Sequence, residues 1–357
     1  MRHAITLFVL LALAGAASLS IRLARADAAY REGTPEGVAR AIEEMPGNAA
    51  YLAFGALQAD YEGRDATPLL ERIVALTPRV SAARIRLGLG AEQRGDFVVA
   101  ERWLREAYGV DHQFVPRWTL ANFYLRQGRN EDFWLWIRTA LAISYGDRRP
   151  AFDLCWSISS DADEILTRAI PDREEVASDY LAYLIDHHQV EALAAAAQKV
   201  HGPDLLLAAT DVLLDNSRYA EATAVWRLSG RRVPDGITGP NFEAPQTGHG
   251  FDWRRFRSEG VRHPFPGRIQ LSGQQAESVE LLRQFVGGLH PGERYTLQWK
   301  ASVEVPGLTW KINGEPAAEF VASSEVAVVS LWYQRPLGEV RAEASFDISG
   351  VSLLALH

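Results

Sequence analysis

The sequence contains a single cysteine, Cys155, and this scarcity excludes several kinds of site. One cysteine cannot form a disulfide within the chain, and it cannot build a metal site from several thiolates. Cys155 stands between Leu154 and Trp156 in an apolar run, which predicts a buried thiol and not an exposed nucleophile. The fold must therefore be stabilised by packing without covalent cross-links.

Positive charge is also too scarce to favour a nucleic-acid partner. Lys and Arg total 37 against 45 Asp and Glu, for a formal net charge of −8 at pH 7. Binding to a phosphate backbone needs a basic face, so we expect no nucleic acid. Hydrophobic residues make up 47% of the chain and charged residues 23%, which is typical of a globular protein and not of a disordered one.

Catalytic and cofactor motifs are missing as well. The sequence has no His-Glu-x-x-His, no Gly-x-x-x-x-Gly-Lys and no Gly-x-Ser-x-Gly. The adjacent pair His187 and His188 would diverge by about 100° on a helix, so the two rings do not converge on one metal ion. We therefore expect no enzyme activity, no catalytic residues, no cofactor and no metal.

The start of the chain carries a long apolar stretch. Residues 4–21 have no charged side chain, and Arg22 and Arg25 follow. An Ala-Arg-Ala sequence that ends at Ala26 fits cleavage of an export signal, whereas the length of the apolar run, about 20 residues, fits a membrane span. Residues 1–26 thus predict either a cleaved signal peptide or an anchor. Both place the protein in a bacterial cell envelope, free in the periplasm or held at the inner membrane and facing the periplasm.

Residues 81–112 show the pattern of two antiparallel helices joined by a turn at Gly95 and Asp96. Similar units begin near Gly47 and Phe114. Three rows of second-helix residues recur at spacings of 34 and 33: Ala66, Ala100, Phe133; Leu70, Leu104, Ile137; and Ile73, Ala107, Ala140. The first helices align in the same way as Ala53, Leu87, Leu120 and as Leu57, Ala91, Tyr124.

This period resembles that of the tetratricopeptide repeat family. The resemblance implies an α-solenoid over residues 27–231, with less regular helix pairs after Pro150. It also implies a groove for a protein partner along the first helices. The matching positions carry polar and aromatic side chains, and our groove candidates are Tyr51, Gln58, Glu92, Trp118 and Asn122.

Helical spacing stops at residues 232–239, which are rich in Gly and Pro and predict a linker. Residues 240–357 then alternate between apolar and polar side chains, as expected for short strands of an antiparallel β-sandwich. The predicted strands include residues 268–272, 278–286, 309–312 and 327–334. In another, Tyr295, Leu297 and Trp299 are expected to face the core together.

The β region resembles carbohydrate-binding-module and galactose-binding-like jelly rolls. The resemblance is carried by the motifs Pro240-Asn241-Phe242-Glu243, Phe251-Asp252-Trp253-Arg254 and Pro291-Gly292-Glu293-Arg294-Tyr295. It implies a glycan ligand, since indole rings stack on the C–H faces of sugars while Arg and Asp bond their hydroxyl groups. The candidate glycan-binding residues are Asp252, Trp253, Arg254, Trp310 and Trp332.

This order of domains resembles accessory proteins of bacterial exopolysaccharide or O-antigen systems. We therefore predict a non-enzymatic envelope scaffold with helical repeats for protein interaction and a β-sandwich for glycan recognition. Two alternatives stay open. The first is a glycan-active enzyme with a carboxylate pair such as Glu243 and Asp252 between the domains. The second is a purely structural β-sandwich that caps the solenoid.

Overall fold

The structure, a computed structural model, describes residues 2–242 and 246–356. Helices come first and strands follow, which confirms the predicted fold class of an α-solenoid followed by an antiparallel β-sandwich. The chain divides into two compact units, Met1–Asp147 and Arg148–His357. The second unit therefore contains both helices and strands.

The first unit is built from helices that pack in successive pairs. Their bounds are α1 Arg2–Arg31, α2 Pro35–Glu44, α3 Ala49–Tyr61, α4 Thr67–Leu76, α5 Ala82–Gln93, α6 Phe97–Val110, α7 Phe114–Arg126 and α8 Asn130–Leu141. Side-chain caps begin several of them: Thr34 accepts a hydrogen bond from the Gly37 amide at 3.1 Å, and Asp96 accepts one from the Val99 amide at 3.2 Å. Each pair is a helical hairpin, as the sequence predicts.

The predicted repeat of the second helices is confirmed. All three rows are buried: Ala66, Leu70 and Ile73 in the first hairpin of the repeat, Ala100, Leu104 and Ala107 in the next, and Phe133, Ile137 and Ala140 in the third. No side chain of these rows is more than 6% exposed. Because a single hairpin cannot cover its own apolar face, these rows pack the array together.

The predicted alignment of the first helices is wrong in α3. Leu57 is 58% exposed and Ala53 is exposed too, although both were aligned with core positions of α5. The five buried positions of α3 return in α5 at a spacing of 32 and not 34: Tyr51, Leu52, Gly55, Ala56 and Ala59 correspond to Ala83, Arg84, Leu87, Gly88 and Ala91.

The length of one turn explains this shift. Residues 62–66 connect α3 to α4, whereas residues 94–96 connect α5 to α6, so the first connection is two residues longer. The second helices keep a spacing of 34 because the longer turn makes up the difference. The first helix consequently presents a different face from the one that a constant spacing predicts.

The second unit begins with α9 Arg149–Ile158, α10 Ala162–Arg168, α11 Glu174–Asp186, α12 Val190–Ala197, α13 Pro203–Asp215 and α14 Tyr219–Leu228. Cys155 of α9 has no exposed surface, which confirms the prediction of a buried thiol. Burial raises the pKa of this thiol from its ordinary value of 9.0 to about 12. The thiolate is therefore disfavoured in the folded protein.

The strands are β1 Arg254–Arg255, β2 Val261–Arg262, β3 Arg268–Ser272, β4 Ser278–Val286, β5 Arg294–Ala301, β6 Leu308–Ile312, β7 Glu315–Pro316, β8 Glu319–Val321, β9 Ala327–Gln334 and β10 Glu343–Leu356. In the described part of the chain they form two antiparallel sheets of five strands each. The β9 sheet has the order β1-β4-β9-β6-β7, and the β10 sheet has the order β2-β3-β10-β5-β8.

The two sheets enclose one apolar core, to which both contribute alternate residues. Leu331 and Tyr333 of β9 and Phe346 of β10 are at most 1% exposed. On β5, Tyr295 and Leu297 face this core as predicted. Trp299 does not follow them, since 38% of its surface is exposed.

Candidate functional site

A first candidate surface is the side that α3, α5 and α7 share, which we call the first-helix face. Ion pairs cross it from one helix to the next. Asp60 of α3 pairs with Arg86 of α5, and Glu92 of α5 accepts two hydrogen bonds of 2.8 Å from the guanidinium of Arg126 on α7. These pairs link successive hairpins and leave the rest of the face to its uncharged side chains.

Three predicted groove residues lie on the first-helix face. Glu92 is held by Arg126, as described. Trp118 and Asn122 precede Arg126 by eight and four residues on α7, so the three side chains follow one stripe of the helix. The Asn122 amide donates to the Trp118 carbonyl at 2.9 Å, and the half-buried Trp118 ring stacks on that of Phe114 at 5.7 Å.

Tyr51 and Gln58 do not lie on this face, which corrects the prediction for both. Tyr51 is 3% exposed, and its hydroxyl donates to the carboxylate of Asp27 in α1. Gln58 was chosen as the equivalent of Glu92, but at the observed spacing of 32 that equivalent is Asp60. The longer turn between α3 and α4 is the physical reason for both errors.

The same error hid two residues of α3 that the structure places on the first-helix face. Leu57 is 58% exposed and Tyr61 is 93% exposed, four residues apart on the stripe next to Asp60. The sequence did contain a signal for them, since the turn glycines Gly63 and Gly95 are 32 residues apart. Counting from these glycines, which both adopt positive φ, gives the correct register.

Among the glycan candidates, Trp253 and Trp310 belong to the β-sandwich core. Trp253 has no exposed surface and Trp310 is 5% exposed. The ring of Trp253 lies 5.2 Å from that of Phe242 and 6.1 Å from that of Trp310. A ring without exposed surface cannot stack on a sugar, so the prediction is corrected for these two tryptophans.

Asp252 and Arg254 are held by contacts within the second unit. Arg254 donates to Asp211 of α13 at 2.7 Å and to Asp215 of the same helix at 3.1 Å. Asp252 accepts hydrogen bonds from the Thr247 hydroxyl at 2.6 Å and amide at 3.0 Å. The charges of both predicted glycan ligands are thus already engaged within the protein.

These contacts form part of what we call the joint, where α13 and α14 pack on the start of the β region. Asp211 also accepts a hydrogen bond from the Gly250 amide at 2.6 Å. Trp226 of α14 is 2% exposed and meets the ring of Phe251 edge-on at 5.7 Å. Sequence reasoning missed the joint, because its partners are far apart in the chain.

Trp332 lies in a cleft of about 630 Å³ between the α13–α14 connection and the outer face of the β9 sheet. We call it the α13–β9 cleft. Its lining combines hydroxyl, amide and charged groups with aromatic rings, and includes Asp215, Tyr219, Arg283, Asn313, Ser324 and Trp332. Trp332 donates its indole N–H to the Ser330 hydroxyl at 2.9 Å, and Lys311 Nζ lies 4.2 Å from the centre of its ring.

One half of the carboxylate pair in the enzyme alternative, Glu243, lies outside the described residues. The other half, Asp252, is held by Thr247 and lies 3.4 Å from the guanidinium of Arg231. Among the described residues, no group of three or more His, Cys, Asp or Glu side chains is placed to hold a metal ion.

Comparisons with known proteins give little beyond the fold. Searches of family models and of curated proteins found no match. Similar solved structures include YrrB, "a TPR protein with an unusual peptide-binding site", at 11% identity over 55% of this chain and 92% of that chain, with a TM-score of 0.28. The APC/C hetero-tetramer Cut9-Hcn1 is 12% identical over 59% of this chain and 39% of that chain, with a TM-score of 0.30.

The TPR domain of P58(IPK) is 12% identical over 59% of this chain and 92% of its own, with a TM-score of 0.17. Likenesses at these scores carry no argument about function. The tetratricopeptide-like character of the helices accordingly rests on their own hairpins and on the repeated buried positions.

Proposed function

We propose that this protein is a non-enzymatic scaffold of the cell envelope, in which the first-helix face binds a protein partner and the α13–β9 cleft binds a glycan. The observation that carries the first half is the exposed apolar stripe of α3. Leu57 and Tyr61 expose 58% and 93% of their surfaces beside the ion pair of Asp60 and Arg86. Aromatic anchors with a charged surround are typical of protein interfaces.

The stripe does not end at α3. Ile85 and Leu89 of α5 and Trp118 of α7 are half-buried on the neighbouring helices, so apolar surface continues across the hairpins. The ion pairs that cross the face neutralise its charged groups. A partner that brings apolar side chains and few uncompensated charges fits this surface.

The glycan half of the proposal is supported by the lining of the α13–β9 cleft. Sugars present C–H faces and many hydroxyl groups, and the cleft offers the indole of Trp332 together with hydroxyl and amide groups. Its charged groups are paired: Glu280 and Arg283 lie 2.7 Å apart, and Asp215 is bound by Arg254. This charge balance favours a neutral glycan over an anionic one.

Site-specific photo-crosslinking tests the protein half. A photoreactive amino acid in place of Tyr61, in cells that naturally make the chain, is expected to give a discrete adduct with one partner. The same replacement at Val98, which is 83% exposed on the second helix α6, serves as the control and is expected to give none. An equal yield at both positions, or no adduct at position 61, would contradict the assignment of this face.

Calorimetric titration of the full chain in detergent tests the glycan half, with neutral oligosaccharides of glucose and of N-acetylglucosamine as probes. We expect Trp332→Ala to weaken binding about tenfold or more, because loss of one stacking contact of about 1.4 kcal/mol has that effect. Trp299→Ala is the matched control, since Trp299 is exposed on the β10 sheet and does not line the cleft. Absence of binding, or equal weakening by both variants, would contradict the glycan site.

The joint favours a second candidate function for the β-sandwich, which is the structural cap. Trp226 and Asp211 pack against Phe251 and Gly250, and so the last helices are covered by the β region. End units of helical arrays need a polar surface or a cover. Failure of every oligosaccharide to bind, with the joint intact, leaves the cap as the function of this region.

A further inference from the structure

Helix α1 consists of two parts with opposite surroundings. Its side chains from residue 5 to residue 25 are all exposed in the structure, and burial begins abruptly at Ala26. The stretch Ile5–Arg31 contains an 18-residue window with a mean hydropathy of 2.0, none of which is buried. An apolar surface of this kind, on a helix that continues without a break into a packed unit, needs a cover.

The second part of α1 belongs to the first hairpin of the array. Ala26 has no exposed surface and Ala29 is 8% exposed. Asp27 accepts the hydrogen bond of Tyr51, and the ring of Tyr30 lies 5.0 Å from that of Tyr51 and 5.4 Å from that of Phe54. This part of α1 thus forms the first helix of the hairpin that α2 completes.

Helix α2 approaches α1 very closely at Gly37. A methyl group at this position would lie 2.5 Å from the carbonyl oxygen of Ala29. Further back along α1, Arg22 donates to the Glu44 carbonyl at the end of α2, and its guanidinium lies 3.7 Å from the Glu44 carboxylate. The contacts between α1 and the array therefore begin before Ala26 and continue after it.

Cleavage after Ala26 would cut through this contact surface. It would remove Arg22 and Ala26 and leave five residues of α1, from Asp27 to Arg31. Helices shorter than about 12–15 residues are marginal without support from their surroundings. Val38 and Ala41 of α2, which are at most 1% exposed, would lose much of the surface that covers them.

We propose that α1 is retained in the mature protein and crosses a lipid bilayer, whose hydrocarbon covers residues 5–25. These residues span about 31 Å at 1.5 Å per residue, which matches a hydrocarbon thickness of about 30 Å. Arg22 and Arg25 lie at the end of this span, where their side chains reach the interface. The exposed part of α1 ends where a bilayer would end, and the packed part begins there.

The state of α1 in purified protein tests the proposal directly. The full chain is made in cells, its membrane fraction is washed with alkaline carbonate, and the bound protein is analysed by intact mass and N-terminal sequencing. We expect the chain to retain α1 and to resist the wash. A chain that begins at Asp27 would overturn the proposal, and so would an uncleaved chain that the wash releases, because its α1 would then be covered by protein.

A matched pair of variants tests the structural role of α1 independently. Ala26→Asp places a carboxylate at a position without exposed surface, whereas Ala28→Asp places the same charge at an exposed position two residues away. We expect limited proteolysis of the first hairpin to be about tenfold faster in the first variant, because a buried unpaired charge is costly. Equal rates would show that α1 does not support the hairpin and would overturn the inference.

Discussion

Replacement of Gly250 by alanine is expected to destabilise the second unit by about 2–5 kcal/mol, which makes it one of the most damaging single changes in the joint. Gly250 adopts a φ of +57°, and a methyl group there would lie 2.2 Å from the indole ring of Trp226. The ring is 2% exposed, so it has little room to move away. Urea denaturation of the full chain, with hydrogen exchange of α13 and α14, measures the effect.

Gly248→Ala is the control for this prediction. Gly248 also adopts a positive φ, of +77°, but no atom lies within 4 Å of the position that its methyl group would take. The control is expected to lose only the cost of the left-handed conformation, about 1–2 kcal/mol. Equal losses in the two variants would mean that the contact between Gly250 and Trp226 does not restrict the joint.

The second large effect is expected for Trp253→Ala, at about 3–5 kcal/mol. Trp253 is fully buried against Phe242 and Trp310, so its removal leaves a large cavity between the sheets. We expect the midpoint of thermal unfolding, followed by circular dichroism in the β region, to fall clearly below that of the unmodified chain.

Trp332→Ala provides the comparison, because Trp332 is half-buried in the cleft and not in the core. Its loss is expected to lower stability much less than the loss of Trp253. The opposite pattern, a stable Trp253→Ala variant that no longer binds oligosaccharide, would return Trp253 to the glycan site and contradict its place in the core.

The fold was predictable because it depends on periodic patterns that are local in the sequence. Strands predicted at residues 268–272, 278–286 and 327–334 coincide with β3, β4 and β9. The second-helix rows of the array were equally clear, since each apolar residue recurs at a nearly constant spacing. Patterns of this kind reflect which side of an element faces a core, and they survive without knowledge of its neighbours.

The candidate sites were harder to predict, because they depend on where elements meet. Leu57 and Tyr61 were missed through a turn that is two residues longer than its counterpart. Arg254 was taken for a ligand contact, but its partner Asp211 lies 43 residues away in the chain. No local pattern reveals such an ion pair.

The burial of Trp253 shows the same limit in another form. It lies just before the short strand β1, in a run where apolar and charged residues alternate too briefly to define a face. Its neighbours Phe242 and Trp310 are 11 and 57 residues away. Whether such a ring is core or exposed is decided by packing between distant segments.

The absence of a loop within α1 has a mechanical consequence. If residues 5–25 cross a bilayer, the span and the first hairpin share one rigid axis, so the tilt of the span sets the tilt of the hairpin. A helix responds to a thinner bilayer by tilting further. Tyr51, which receives α1, is on the same helix as Leu57 and Tyr61, about 9 and 15 Å further along at 1.5 Å per residue. The angle at which this binding stripe meets the membrane would thus vary with the thickness of the surrounding lipid.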